Sequence, residues 1–213
     1  MSNSSSAAGL GHLDAFDVSR ETKERLALLE RELRRWQAIK NLVGPGTLDH
    51  IWDRHIIDSL QILDLAPDAK TWLDLGSGAG FPGLVLAIAG FERGLKVDLV
   101  ESNSRKCAFL RQIARLTGVH ATVHEARLET VIPGFVGKSD VVSARALASL
   151  SQLLDWTAPL LKAGTMGLFP KGRDAEIELT EARKSWTFDV KILPSRTDSE
   201  ARILRITSIE SRS

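Results

Sequence analysis

The residue types with most chemical potential sit in one stretch, Asp74-Leu75-Gly76-Ser77-Gly78-Ala79-Gly80-Phe81-Pro82-Gly83. The run from Thr71 to Leu75 reads as a buried strand, and Leu84 to Ala89 as the start of a helix. A strand, a glycine turn and a helix bring bare backbone against an adenosine-type ligand. Glycine is required because a Cβ would block both the positive φ angles and the close approach of the ligand. Pro82 fits the first helical turn, where its missing N–H has no partner to lose. Two registers are open. Gly78-x-Gly80-x-x-Gly83 is the dinucleotide fingerprint, whereas Asp74-x-Gly76-x-Gly78-x-Gly80 is the acidic-led form of S-adenosylmethionine enzymes. The next strand, Lys96 to Val100, ends at Glu101, where a carboxylate can accept from ribose hydroxyls. That placement disfavours a plain solvated strand end, but serves both cofactors.

Four further groups call for a reading. Ser143-Ala144-Arg145-Ala146 follows the fourth strand, at the carboxyl edge where doubly wound sheets bind ligands. Arg145 there can hold a carboxylate or a phosphate in a fork, or simply close a loop salt bridge. Pro170-Lys171-Gly172-Arg173 ends the fifth strand at the same edge and suits phosphate contact, with a solvated turn as the rival. His55 and Asp58, three apart on a helix, read from spacing alone as a surface hydrogen-bonded pair. Arg105, Lys106, Arg111 and Arg115 line one helix; such runs are usually solvated faces, with contact to a phosphate backbone as the other reading.

The absences narrow the chemistry. A single cysteine, Cys107, excludes an intrachain disulfide and a CxxC zinc knuckle, and the five histidines lack metal-ligand spacing. No metal is expected. Neither a G-x-S-x-G elbow nor a G-x-x-x-x-G-K-[ST] loop occurs. Tyrosine is absent, which removes the Tyr-x-x-x-Lys pair of short-chain dehydrogenases and weakens the nicotinamide register. Methyl transfer needs mainly alignment, and a nucleophile with a free lone pair, as guanine N7 has, needs no general base. The lack of an acid–base dyad fits that class.

The elements that must position these groups follow from periodicity. With 213 residues, 43% hydrophobic and 26% charged, the chain suits one well-buried domain plus a small appendage. A net charge of +1 makes no global nucleic-acid field. No apolar run reaches the roughly 18 residues of a membrane span, and no secretory signal opens the chain, so a cytoplasmic location is expected. Residues 1–14 read as a disordered tail and 15–66 as an N-terminal helical cap. In the cap, Ser19 is the N-cap of a helix whose Leu26, Leu29, Leu33 and Trp36 share a face. Trp36 reads as a core anchor, better used on the following domain than on a second copy, which makes a monomer the expectation. Gly44-Pro45-Gly46 breaks the helix, and Thr47 or Asp49 can cap a second from Ile51 to Leu63. Residues 67–213 alternate strands at 71–75, 97–100, 121–124, 140–143 and 165–169 with helices, which argues for a parallel α/β sheet. A helix near 174–184 precedes strands at 188–193 and 201–206 joined by a polar turn, a terminal antiparallel hairpin. The fold class is therefore α/β and Rossmann-like, with a mostly parallel seven-stranded sheet.

Taken in order, the motifs resemble a known family. They are Leu33, Trp36, Asn41-Leu42, Arg54-His55-Ile56-Ile57-Asp58-Ser59, the stretch from Asp74 to Gly83, Glu101 with Arg105-Lys106 and Phe109-Leu110, Ser143-Ala144-Arg145-Ala146, and Lys171-Gly172. This set is similar to the glucose-inhibited division protein B family, the ribosomal RNA small subunit methyltransferase G enzymes, from about Leu33 to Ile206. The combination of Arg-His-x-x-Asp-Ser with Gly-x-Gly-x-Gly-Phe-Pro-Gly carries the likeness. The family commonly has Lys-Arg where this chain has Arg105-Lys106, and Val43-Gly44-Pro45 follows Asn41-Leu42 in place of a Thr. The resemblance implies an S-adenosylmethionine-dependent methyltransferase fold. It also implies a cytoplasmic bacterial enzyme that methylates guanine N7 in 16S ribosomal RNA, and the near-zero net charge leans towards the 30S subunit over naked RNA as the substrate. Gly76, Phe81, Glu101, Leu128, Glu129 and Arg145 would contact the cofactor, with Asp74, Ser77, Gly78 and Gly80 shaping its loop. His55, Asp58, Lys171 and Arg173 would lie on the substrate side.

Two other readings stay open at this point. One is a non-catalytic ribosomal RNA-binding assembly factor; the other is a nicotinamide-dependent oxidoreductase resting on Gly78-x-Gly80-x-x-Gly83 and Glu101 alone.

Overall fold

The computed structural model describes residues 13, 16, 18–40, 42–44 and 46–212. The expected tail (1–12 and 14), His12, Asn41 and Pro45 lie outside the described residues. Leu13 is fully buried in the core.

Helix α1, Arg20–Lys40, starts where the sequence places it. The Ser19 hydroxyl accepts from the Thr22 N–H at 3.2 Å, an N-cap of the ordinary kind. Leu26, Leu29 and Leu33 are fully buried, each burial stabilising by about 1.5–3 kcal/mol. Trp36 packs edge-on to Phe109, ring centroids 5.6 Å apart, as the anchor reading expects. The second cap helix departs from expectation. Thr47–His50 is a short 3-10 turn, Trp52–Ile57 is π-helical, and only α2, Asp58–Leu63, is α-helical. Neither Thr47 nor Asp49 caps it, because Ile51 between the two turns already has helical dihedrals, φ −60° and ψ −37°.

The remaining elements are β1 Thr71–Leu75, α3 Gly83–Ala89, β2 Lys96–Glu101, α4 Ser104–Thr117, β3 Ala121–Glu125, α5 Leu128–Val131, β4 Val141–Ala144, α6 Leu150–Lys162, β5 Met166–Lys171, α7 Ala175–Ala182, β6 Trp186–Pro194 and β7 Arg202–Ser211. Each expected strand and helix exists, with ends shifted by a few residues. The last two strands run longer than the apolar pattern suggests. They pair along their whole length, and β6 is the edge strand of the sheet, where polar residues are tolerated.

The seven strands lie in the order β3-β2-β1-β4-β5-β7-β6. The first five are parallel; β7 inserts antiparallel between β5 and β6. This is the mostly parallel sheet with a terminal hairpin read from the sequence. Side chains alternate across it. Trp72, Val97 and Leu99 enter the core beneath α1, α3 and α4, while Leu73, Leu75 and Val100 enter the opposite core with α6 and α7. Because both faces are covered, β1 and β4 are nearly all apolar. The chain order reverses between β1 and β4. At such a switch point the loops diverge and leave a crevice beyond the strand ends. Among the described residues no helix is long and apolar enough to cross a membrane.

Candidate active site

The β1–α3 turn is wound by its glycines, with φ +65° at Gly76, +56° at Gly78 and +95° at Gly80. Ser77 pins it: its N–H donates to Val100 O at 3.0 Å, and its hydroxyl donates to Asp74 O at 3.0 Å. The glycines do different work. A Cβ on Gly76 or Gly80 would strike Leu147 or Leu84 at 2.6 Å, so protein packing already excludes one. A Cβ on Gly78 would meet nothing nearer than Gly76 O at 3.8 Å. Gly78 is thus the position where bare backbone faces open space.

Glu101, at the end of β2, holds that position. One carboxylate oxygen accepts the Gly78 N–H at 3.0 Å and the other the Asn103 N–H at 2.8 Å. Asn103 in turn caps α4 by accepting from the Arg105 and Lys106 N–H groups. Glu101 is 9% exposed, and each of its oxygens keeps a second acceptor site. The Ala126 N–H donates to Glu101 O at 3.1 Å, which brings the start of α5 alongside. Leu128 there packs on the core and Glu129 is exposed.

Asp74 lies beneath the turn and is fully buried. One oxygen accepts the Ser143 hydroxyl at 2.7 Å and the other the Gly83 N–H at 3.2 Å, while Trp72 Nε1 donates to Ser143 Oγ at 2.9 Å. Burial raises its carboxyl to about 6, against the pull of these hydrogen bonds. Asp74 therefore ties β1, β4 and α3 together and shapes the loop from below.

The second half of the site is built on Arg145, just past β4. Its Nη1 donates to Arg54 O at 2.9 Å and to Asp58 Oδ2 at 3.2 Å, and its Nη2 meets His55 Nδ1 at 2.7 Å. Phe81 from the glycine turn closes the cluster, its ring 5.7 Å from the guanidinium and 5.0 Å from the His55 ring. The surface-pair reading of His55 and Asp58 is thereby corrected. The two turn together onto Arg145, a residue remote in sequence that local spacing cannot reveal. Burial first, then the positive Arg145 and Arg54, lowers the His55 imidazole to about 4. The loop-salt-bridge reading of Arg145 is also realised, since Asp58 pairs with it.

Asp58 reaches further. Its other oxygen accepts from Gln61 Nε2 at 2.7 Å and from the Thr197 hydroxyl at 2.8 Å, so the 195–201 loop between β6 and β7 is tied to α2. Between that loop, Arg145 and the end of β5 opens a cavity of about 1080 Å³. Lys171 lines it but is neither a free phosphate contact nor a solvated turn residue. Its Nζ donates to Ala148 O at 2.8 Å and to Glu178 at 2.7 Å, with 7% of the side chain exposed. Arg173 is exposed and does not line this cavity. Arg111 pairs with Glu125 at 2.8 Å on a solvated face.

Sequence reasoning quoted Ser143 only as part of the Arg145 motif, without its bond to Asp74, and did not single out Asn103, Gln61, Thr197 or Glu178. Asn103 had a local signal, an N-cap type just ahead of an amphipathic helix. Thr197 acts across a long separation and had none, while Gln61 and Glu178 lie three and seven residues from Asp58 and Lys171 but also bond groups far along the chain, Arg196 N and Leu150 N. Among the described residues no group of His, Cys, Asp and Glu converges as a metal site.

This donor set fits an adenosine-type cofactor, since it offers open space at Gly78 and spare acceptor positions on Glu101 beside an apolar edge at Leu128. The GidB family model, rRNA small subunit methyltransferase G, matches residues 22–203. The chain belongs to this family. The match begins ahead of Leu33, where the motif resemblance starts. Among relatives of the same description, the ribosomal RNA small subunit methyltransferase G of Methylobacterium radiotolerans is 66% identical over 92% of this chain and 93% of its own length. That of Parvibaculum lavamentivorans is 50% identical over 91% and 86%. Solved methyltransferases share the fold at low identity. One from Geobacter sulfurreducens has a TM-score of 0.61 at 13% identity, covering 93% of this chain and 94% of its own. The O-methyltransferase TomG of Streptomyces achromogenes, solved in complex with SAM, has 0.59 at 13%, covering 94% and 96%.

Proposed function

We propose that the chain transfers the methyl group of S-adenosylmethionine to N7 of a guanine in 16S ribosomal RNA. The single observation that carries this reading is the Glu101–Gly78 clasp on the switch-point crevice of a chain belonging to the rRNA small subunit methyltransferase G family. The nicotinamide alternative lacks any comparable support.

When bound, S-adenosylmethionine supplies a methyl on a sulfonium that departs as a neutral thioether. The chain supplies alignment. Glu101 would accept from the ribose hydroxyls, Gly78 would let the backbone approach, and the Leu128-Glu129 edge would border the adenine. Arg145, anchored by Asp58, His55 and Arg54, keeps N–H donors that these three bonds do not use for the methionine carboxylate. With the cofactor held by Glu101, Gly78 and Arg145, the N7 lone pair would take the methyl group as the S–C electron pair returned to sulfur. The purine acquires the positive charge, and no proton moves in that step. A general base is therefore not needed.

In this reading residues 15–66 cap the methyltransferase domain, 67–213, and the cavity beside Arg145 receives the guanine. The substrate is 16S RNA within the 30S subunit, whose shape supplies recognition that a near-neutral chain does not. The enzyme acts as a metal-independent, cytoplasmic monomer. Transfer of label from methyl-labelled S-adenosylmethionine tests the reading; 7-methylguanine in 16S RNA is expected. Cofactor binding without any label in ribosomal RNA would favour the assembly-factor alternative.

A further inference from the structure

His55 stands in the cavity wall with one ring nitrogen fixed and the other free. Its Nδ1 lies 2.7 Å from Arg145 Nη2. A guanidinium has only donors, so Nδ1 must carry the lone pair and accept. The single proton of the neutral imidazole is then on Nε2, on the far edge of the ring. No hydrogen bond to Nε2 is made by the described residues, and the ring lines the cavity. Phe81 against the ring, 5.0 Å between centroids, and the Arg145 bond together fix its plane. The result is a neutral, oriented donor without an acceptor of its own.

Resting on the methyltransferase reading, we infer that His55 Nε2–H donates to O6 of the substrate guanine and makes His55 a specificity-determining residue. The Hoogsteen edge of guanine offers two adjacent acceptors, N7 and O6. N7 must keep its lone pair for the methyl group, so the donor belongs on O6. Adenine presents an amino group at that place, and two donors would face each other. A guanine taken out of its stack to reach the cavity exposes this edge.

Neutrality also matters. The purine becomes positive as N7 is methylated, so a lysine, an arginine or a charged histidine at this place would oppose the reaction. The Arg145 guanidinium behind His55 is already paired with Asp58 at 3.2 Å. A neutral donor held by a compensated cation gives direction without adding charge beside the reacting ring.

The test is a coupling cycle between the protein and the base. His55→Phe keeps a ring on Phe81 but removes the donor; His55→Gln returns an amide N–H near the Nε2 position. The substrate is the 30S subunit, with the guanine that the wild type labels kept or replaced by 2-aminopurine, which lacks O6. Each change alone should lower kcat/KM for the subunit by about 10- to 100-fold, the worth of one buried hydrogen bond. Combined, the two should lose little more than either alone. S-adenosylmethionine binding by calorimetry should be kept in His55→Gln, whose amide oxygen can accept from Arg145 Nη2 in place of Nδ1, and His55→Gln should recover most of the loss. Losses that multiply, a His55→Phe enzyme at the wild-type rate, or a His55→Gln enzyme as impaired as His55→Phe would each overturn the inference while the methyltransferase reading stood. A wild-type protein that binds cofactor yet labels no ribosomal RNA would overturn both.

Discussion

Asp58 and Arg145 form a nearly enclosed ion pair, 3.2 Å between Oδ2 and Nη1 with 17% of each side chain exposed. The pair joins the cap to the carboxyl edge of the sheet. Through Thr197 it also holds the β6–β7 loop against the cavity.

Removing one partner should therefore cost more than a surface pair would. Asp58→Ala leaves Arg145 without its paired carboxylate and removes one hydrogen bond each from Gln61 and Thr197; a stability loss of about 3 kcal/mol is expected. Arg145→Lys should also fail to restore stability, because one ammonium cannot span Arg54 O, Asp58 and His55. Urea unfolding of the three proteins checks both. A change below about 0.5 kcal/mol in Asp58→Ala, the range of ordinary surface substitutions, would contradict the pair's importance.

The glycines of the turn should separate binding from folding. Gly78→Ala places a Cβ in open space at φ +56°, a strain of about 1–2 kcal/mol. Its main effect should be loss of S-adenosylmethionine binding by more than about tenfold, the consequence of about 1.4 kcal/mol of lost contact. At Gly83 a Cβ would lie 2.3 Å from Leu99 and 2.6 Å from Asp74. Gly83→Ala should lower the melting temperature sharply. Calorimetry beside thermal unfolding distinguishes the two outcomes.

Glu101→Gln keeps the size of the side chain but replaces one acceptor with an N–H that must face Gly78 N–H or Asn103 N–H. Cofactor affinity should fall by at least about tenfold through lost acceptors and loosening of the loop, with little effect on RNA affinity. Equal loss of both would mean that Glu101 acts only on folding.

Asp74 and His55 should bend the pH dependence of stability in opposite directions. Asp74 titrates near 6 in the fold against 3.8 unfolded. The folded state thus holds the extra proton between these values, and this contribution is lost as pH rises through 6. His55 titrates near 4 in the fold against 6.5 unfolded. The unfolded chain holds the extra proton there, and this contribution is lost as pH falls from 6.5 towards 4. Relative to wild type, Asp74→Asn should gain stability with pH by up to about 1.4 kcal/mol per unit between 4 and 6. His55→Gln should change with pH in the opposite sense and by less, since the ring is half-buried. Urea midpoints at pH 4.5 and 6 measure both.

The sequence made the sheet and the glycine turn with Glu101 legible because those signals are local. Gly76 to Gly83 sit within one turn, Glu101 ends the next strand, and Ser19 announces α1 by its own hydroxyl. What escaped depends on residues brought together by the fold. His55 and Asp58 read as a surface pair because Arg145 is far along the chain, and Lys171 read as either a phosphate contact or a solvated turn because no short-range pattern brings the Glu178 carboxylate, seven residues on, back to it. The π-helical turn Trp52–Ile57 also had no signature, since the same apolar spacing suits an α-helix over so short a run.

The central claim is best tested by mapping methyl transfer directly. Purified protein, labelled S-adenosylmethionine, and either 30S subunits or naked 16S RNA from cells lacking the protein would be combined and the RNA digested to nucleosides. The account predicts label in 7-methylguanosine from 16S RNA, higher on subunits than on naked RNA. Label in another nucleoside, or none despite bound cofactor, would contradict it.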